Sequence, residues 1–183
     1  TLGLVGLGRI GREVAIRATA FRMRVIACEP SPDMEFNERH GITLTSLDQL
    51  LAESDFVSLH LPLSPESHHL INAHALRLMK PTAFLINTAR GGVVSESDLY
   101  EALCAGTIAG AGLDAYAEEP PAPGYPLAQL ENVICTGHTA GVDVQSRADM
   151  ALLAAQAVAA LSKGEWPEQQ VVNPDCRSWF RWP

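Results

Sequence analysis

Arg90, Asp114 and His138 fall just after short apolar runs, Glu119 lies five residues past Asp114, and together they match the needs of a small acid. A planar guanidinium presents paired N–H donors that fit a carboxylate and a neighbouring carbonyl oxygen, a geometry lysine does not reproduce. An imidazole exchanges a proton near neutral pH. A carboxylate beside that ring fixes its tautomer and stabilises the imidazolium that forms. The set suits an alcohol next to a carboxyl group, which on oxidation loses a proton to a base and a hydride to an acceptor. Taken singly the residues have plainer readings, Arg90 as a surface ion-pair partner and His138 as a structural histidine. Glu118 competes with Glu119 on position alone.

The first thirty residues supply a site for a hydride acceptor. A short apolar strand, Leu2-Gly3-Leu4-Val5, runs into Gly6-Leu7-Gly8-Arg9-Ile10-Gly11; an amphipathic stretch then reaches Phe21, and Arg24-Val25-Ile26-Ala27-Cys28 ends on Glu29. This is the G-x-G-x-x-G arrangement of a dinucleotide-binding βαβ unit. Gly6 allows the tight turn, Gly8 leaves room for a pyrophosphate, and Gly11 lets the helix approach the sheet. The helix N-terminus offers unpaired N–H groups to the phosphates. Glu29 accepts from both hydroxyls of an adenosine ribose and repels a 2′-phosphate, so NAD is favoured over NADP.

Beyond this unit, strands and helices alternate. A Pro-rich turn at Pro30-Ser31-Pro32 precedes a short polar helix near 33–40 and a weak strand at 42–44. Ser46 caps a helix to about Glu53 with Leu47, Leu50 and Leu51 on one face. Phe56–Leu59 and Ala83–Asn87 read as strands buried on both faces, separated by a helix over 73–79 that Asn72 caps. Ser95 with Asp98 resembles a capping box for a helix to about Ala105. Strands follow at Ile108–Leu113 and Val133–Cys135, with the four-proline loop Glu118–Glu131 between them, long enough for a binding or interface role. A long Ala-rich helix over 144–162, with Met150, Leu153, Ala157 and Leu161 as a core or interface stripe, ends at Gly164.

This order predicts an α/β fold: a Rossmann-type, doubly wound, mainly parallel seven-stranded sheet. Residues 1–164 read as the dinucleotide-binding domain and 165–183 as a tail. Ligands in such sheets bind beyond the carboxyl ends of the strands. His60, Thr88-Ala89-Arg90, Asp114 and His138 therefore converge on one rim, among small residues at Gly91, Gly92, Ala140 and Gly141.

Composition narrows the partners. A formal net charge of −8 disfavours nucleic acid and anionic membranes. No apolar run has the length of a membrane span, and no signal peptide is visible. Four cysteines without C-x-x-C spacing read as small thiols in a reducing cytoplasm. No metal site is read; His68-His69 is a solvated helix entry, and His60 an alternative strand-end histidine bonded to backbone. The chain opens on a core strand without an initiator methionine, as a piece of a longer protein would.

Five runs, in order, resemble the D-2-hydroxyacid dehydrogenase family: Gly6–Gly11, His60-Leu61-Pro62-Leu63-Ser64-Pro65, Asn87-Thr88-Ala89-Arg90-Gly91-Gly92, Gly112–Pro120, and Gly137-His138-Thr139-Ala140-Gly141. The resemblance implies reversible hydride transfer between NAD(H) and a D-2-hydroxy acid or its 2-keto acid. Arg90 is then the carboxyl-binding residue, His138 the general acid/base and Glu119 its partner. Asp114 would hold the nicotinamide carboxamide, and Arg9 and Ile10 the pyrophosphate. Leu61 and Pro62 would lie on the adenosine side, with Thr88 and Ala89 near the nicotinamide and Arg90, His138 and Gly141 also bordering the cofactor. It also implies a homodimer paired through the cofactor domain. A substrate domain largely absent from this chain is implied as well, with Val172-Asn173-Pro174 resembling the crossing point to it. The alternative is an NAD(H)-sensing module, akin to the corepressors related to this family.

Overall fold

The structure, a computed structural model, describes residues 1–182. It divides into two compact units, one covering Thr1–His138 and the other beginning at Thr139. In the first unit, seven strands alternate with five helices: β1 (Leu2–Val5), α1 (Arg9–Ala20), β2 (Val25–Cys28), α2 (Met34–His40), β3 (Thr43–Leu44), α3 (Leu47–Glu53), β4 (Phe56–Leu59), α4 (Ala73–Leu78), β5 (Phe84–Asn87), α5 (Glu96–Cys104), β6 (Gly110–Leu113) and β7 (Val133–Cys135). Short 3-10 turns occupy Gly91–Val93 and Pro126–Gln129, the latter inside the proline-rich loop.

The strand order is β3-β2-β1-β4-β5-β6-β7, and all pairs are parallel. The chain reverses its direction of winding between β1 and β4, the place where open α/β sheets bind ligands. Register sets what stands there. Val5 pairs with Cys28 and Leu59, Leu59 with Asn87, Asn87 with Leu113, and Leu113 with Cys135. Gly6, Glu29, His60, Thr88, Asp114 and Thr136 therefore leave the sheet in one row.

The two faces differ. Val5, Ile26, Val57, Leu59, Leu85 and Leu113 pack against α3, α4 and α5 through Leu50, Leu51, Leu76 and Leu99. A buried leucine of this kind contributes about 2 kcal/mol of transfer free energy. On the opposite face Leu2, Leu4, Val25 and Ala27 meet Ala15 and Ala18 of α1. Further along that face Phe56 and Phe84 stack at 5.7 Å and stay partly exposed, and Ile134 is 72% exposed.

Local signals account for three of the five helix starts in this unit and for one helix stop. Asp33, Ser46 and Asn72 cap α2, α3 and α4 through their side-chain oxygens, and Gly41 closes α2 at φ 64°. The expected capping box at Ser95 and Asp98 is not formed. Ser95 makes no cap bond; its hydroxyl faces that of Ser97 at 3.3 Å. Asp98 instead accepts from the Ala73 N–H at 2.9 Å, so it caps the neighbouring α4. Packing of α4 against α5 outcompetes the local motif.

In the second unit α6 (Val144–Ser162) starts at Asp143, whose carboxylate accepts from the Gln145 and Ser146 N–H groups. Gly164 follows its end at φ 78°. None of its residues is buried, so the expected stripe of Met150, Leu153, Ala157 and Leu161 forms no core within this unit. Phe180 meets Trp166 edge-on at 5.9 Å beside Cys176, which is buried.

Candidate functional site

The glycine turn behaves as its spacing predicts. Gly6 sits at φ 92°, and a Cβ there would fall 2.6 Å from the His60 carbonyl oxygen. A Cβ on Gly11 would lie 2.5 Å from the Gly6 carbonyl oxygen, which lets α1 press onto the turn. Gly8 is the N-cap of α1 and has nothing within 4 Å of where a Cβ would project. No side chain caps α1, and no acid stands in its first turn. An uncapped helix end facing open space is an anion site.

Beside it lies a cavity of about 470 Å³, walled by Gly6 and Gly8, by Cys28 at the end of β2 and Glu29 after it, and by His60, Leu61 and Pro62 after β4. Glu29 is held on both carboxylate oxygens, accepting from the Leu7 N–H at 2.7 Å and the Ser31 N–H at 3.0 Å. Each oxygen keeps a lone pair for a ribose hydroxyl. Burial, with the Glu29 charge second, pushes the Cys28 thiol up. His60 Nε2 lies 2.9 Å from the Ser58 hydroxyl, and burial lowers the imidazole's pKa, so a neutral ring faces the cavity. Its partner is thus a side chain, not the backbone. Open backbone at Gly8, an apolar slot and a fixed acid fit the phosphate and adenosine parts of a dinucleotide. Arg9 and Ile10 stand exposed on the first turn of α1, and neither they nor Thr88 and Ala89 wall this cavity.

The rest of the rim is held together by Asn87 and Tyr116, to which the sequence reading gave no role. Asn87, buried at the end of β5, donates from Nδ2 to the Arg90 carbonyl and accepts the Ala89 N–H, each at 3.0 Å. This staple presents Arg90, whose exposed guanidinium donates to the Ala89 carbonyl at 2.6 Å. Asp114 is buried, and the Thr136 hydroxyl donates to it at 2.5 Å. Tyr116 links the strand ends: its hydroxyl donates to the carbonyls of Leu113 and Thr136, and its N–H donates to Glu119 at 3.0 Å. Burial pushes that phenol up to about 12, so it remains a donor.

Glu119 and His138 meet, with Oε2 2.8 Å from Nδ1. The Tyr116 N–H, then the His138 ring and the Arg90 charge hold the Glu119 carboxyl below its ordinary range. His138 lies in the left-handed region at φ 56°, a conformation that costs on the order of 1–3 kcal/mol in a non-glycine residue and concentrates at functional sites. Glu118, which position alone left open, is exposed, and Gly141 belongs to the second unit. His68 and His69 stack at 3.8 Å in the exposed stretch before α4. Among the described residues no three His, Cys, Asp or Glu side chains gather as metal ligands, and no helix is long and apolar enough to cross a membrane.

Fold and rim together define a dinucleotide-binding α/β domain. Residues 1–140 match the family model for the NAD binding domain of D-isomer specific 2-hydroxyacid dehydrogenases, and the chain belongs to that family. It is 46% identical over 171 residues to a glyoxylate reductase of Korarchaeum cryptofilum, covering 93% of this chain and 52% of that protein. It is 40% identical to a D-3-phosphoglycerate dehydrogenase of Archaeoglobus fulgidus, covering 94% of this chain and 33% of the relative. Among solved structures, D-lactate dehydrogenase from Aquifex aeolicus, complexed with NAD and lactic acid, superposes with TM-score 0.80 at 37% identity, over 90% of this chain and 54% of that one. The chain thus spans about half the length, or less, of these relatives. Its cofactor is NAD.

Proposed function

We propose that this domain serves reversible hydride transfer between NAD(H) and a small D-2-hydroxy acid or its 2-keto acid. The observation that carries the reading is the Glu119–His138 pair at 2.8 Å, on the rim that also bears Arg90. Bound NAD supplies the hydride acceptor, and NADH the donor. Everything else falls to side chains. Glu119, kept ionised by the Tyr116 N–H, fixes the proton on Nδ1 of His138 and leaves Nε2 to take the hydroxyl proton in oxidation and return it in reduction. The positive charge formed on the ring then lies against a carboxylate. Arg90 binds the substrate carboxyl and draws electron density from the carbonyl oxygen. Asp114 faces the nicotinamide end, and Arg9 and Ile10 the pyrophosphate.

The test is reduction of glyoxylate, pyruvate or hydroxypyruvate by the whole protein with NADH, followed by nicotinamide absorbance. Arg90→Lys lowers kcat/KM about a hundredfold, roughly 3 kcal/mol, because lysine cannot hold both oxygens. His138→Gln abolishes turnover while NADH still binds. Wild-type rates in either variant reject the assignment. The proposal includes a homodimer paired through this domain, which light scattering reads, and a cytoplasmic setting, which suits four free thiols.

A further inference from the structure

Leu7, the residue between the first two glycines of the turn, is held at both of its backbone groups by side chains from elsewhere. Its N–H donates to Glu29 at 2.7 Å, and its carbonyl accepts from Arg12 Nε at 3.1 Å. The residue itself is only 2% exposed, so the peptide planes on either side are clamped from three directions. Arg12 reaches back over the turn from the first turn of α1. Its other arm donates from Nη1 to Asp33 Oδ2 at 2.9 Å, and its guanidinium carbon stands 5.0 Å over the Phe36 ring. Asp33 is the N-cap of α2, its second oxygen accepting the Phe36 N–H at 3.1 Å. A continuous link thus runs from the N-cap of α2 through Arg12 and Leu7 to Glu29. Arg12 does not wall the cavity.

We infer that Arg12, anchored by Asp33, is a positioning residue that sets both the cofactor turn and the orientation of the ribose-facing acid Glu29. The physical reason lies in the direction of each bond. Rotating the Leu7 peptides would swing the N–H that fixes Glu29 and disturb the backbone around Gly8 at the phosphate end. Arg12 prevents that rotation, and Asp33 prevents Arg12 from leaving for solvent. A guanidinium manages two acceptors in different directions at once; an ammonium on a flexible stem does not. Because Glu29 is the group that disfavours a 2′-phosphate, the link also bears on the choice between NADH and NADPH. This inference rests on dinucleotide binding at the glycine turn.

The test is titration of the 183-residue chain with NADH and with NADPH, followed by nicotinamide fluorescence, for wild type, Arg12→Ala, Asp33→Ala and the double variant. Each single substitution is expected to raise the Kd for NADH about tenfold, the size of losing one charge-assisted hydrogen bond. The double variant is expected to be no worse than either single one, since both break the same link. The ratio of NADPH to NADH Kd is expected to shrink, a change that general loosening of the fold does not produce. Arg12→Lys keeps the charge opposite Asp33 but loses the Leu7 carbonyl. It is expected to bind NADH as poorly as Arg12→Ala while melting with the wild type. Wild-type affinity and wild-type cofactor preference in Arg12→Ala and Arg12→Lys would overturn the inference alone. Absence of NADH binding by the wild-type chain would overturn the cofactor site and the inference with it.

Discussion

Two glycines on the rim carry opposite burdens, and alanine separates them. A Cβ on Gly91 would fall 1.8 Å from the Tyr116 carbonyl carbon, because the loop bearing Arg90 rests directly on the backbone that holds Glu119. Gly91→Ala must push two parts of the site apart, and the expected loss is at least about 2 kcal/mol of stability in urea denaturation. A Cβ on Gly8 meets nothing, so Gly8→Ala changes stability by no more than about 1 kcal/mol while NADH affinity falls sharply. Equal melting of both variants would contradict this division. His60 adds a pH dependence. Burial depresses its folded pKa below the unfolded value near ~6.5. As the pH falls through that value, the unfolded chain takes up a proton the folded chain refuses, and stability drops until the folded pKa is reached. Thermal unfolding between pH 8 and 5 should show a shallower acid slope for His60→Gln than for wild type.

At the level of elements, the Asp98 cap distinguishes local from tertiary control. If the carboxylate served its own helix, Ser95→Ala and Asp98→Ala would weaken α5 alike. Since Asp98 holds the first N–H of α4, Asp98→Ala is expected to cost about 1 kcal/mol and Ser95→Ala close to nothing, measured by urea midpoints. The same contrast marks what was legible in the chain beforehand. Strands β1, β2, β4 and β5, the glycine turn, and the caps at Ser46 and Asn72 follow from residues close in sequence, and their positions were readable. Bonds between elements were not. Tyr116 draws its importance from a carbonyl on β6, one after β7 and a carboxylate three residues on, and no spacing rule names it. Asn87 looks like an ordinary strand-end residue until its side chain is seen to staple the next loop. The choice between Glu118 and Glu119 was open because alternation along a strand does not continue into a loop.

Stability is unevenly shared across the whole molecule. Both apolar clusters draw all of their fully buried residues from the first unit, from Leu2 through Leu127, and every rung of the sheet lies there too. Beyond His138, Cys176 is the one buried apolar residue among those described, and Met150, Leu152, Leu153 and Val158 of α6 are about half exposed. Cooperative unfolding reports the buried contacts that must be broken. A chain ending at His138 is therefore expected to unfold within about 1 kcal/mol of the full chain in urea, with one transition, because it retains both clusters and the complete sheet. It also retains Gly6, Gly8, Glu29 and the His60 slot, so its NADH affinity should stay within a few-fold of the full chain. Calorimetry and fluorescence titration on the two lengths measure both quantities. A large loss of stability on truncation would mean that residues after His138 contribute burial that the first unit needs.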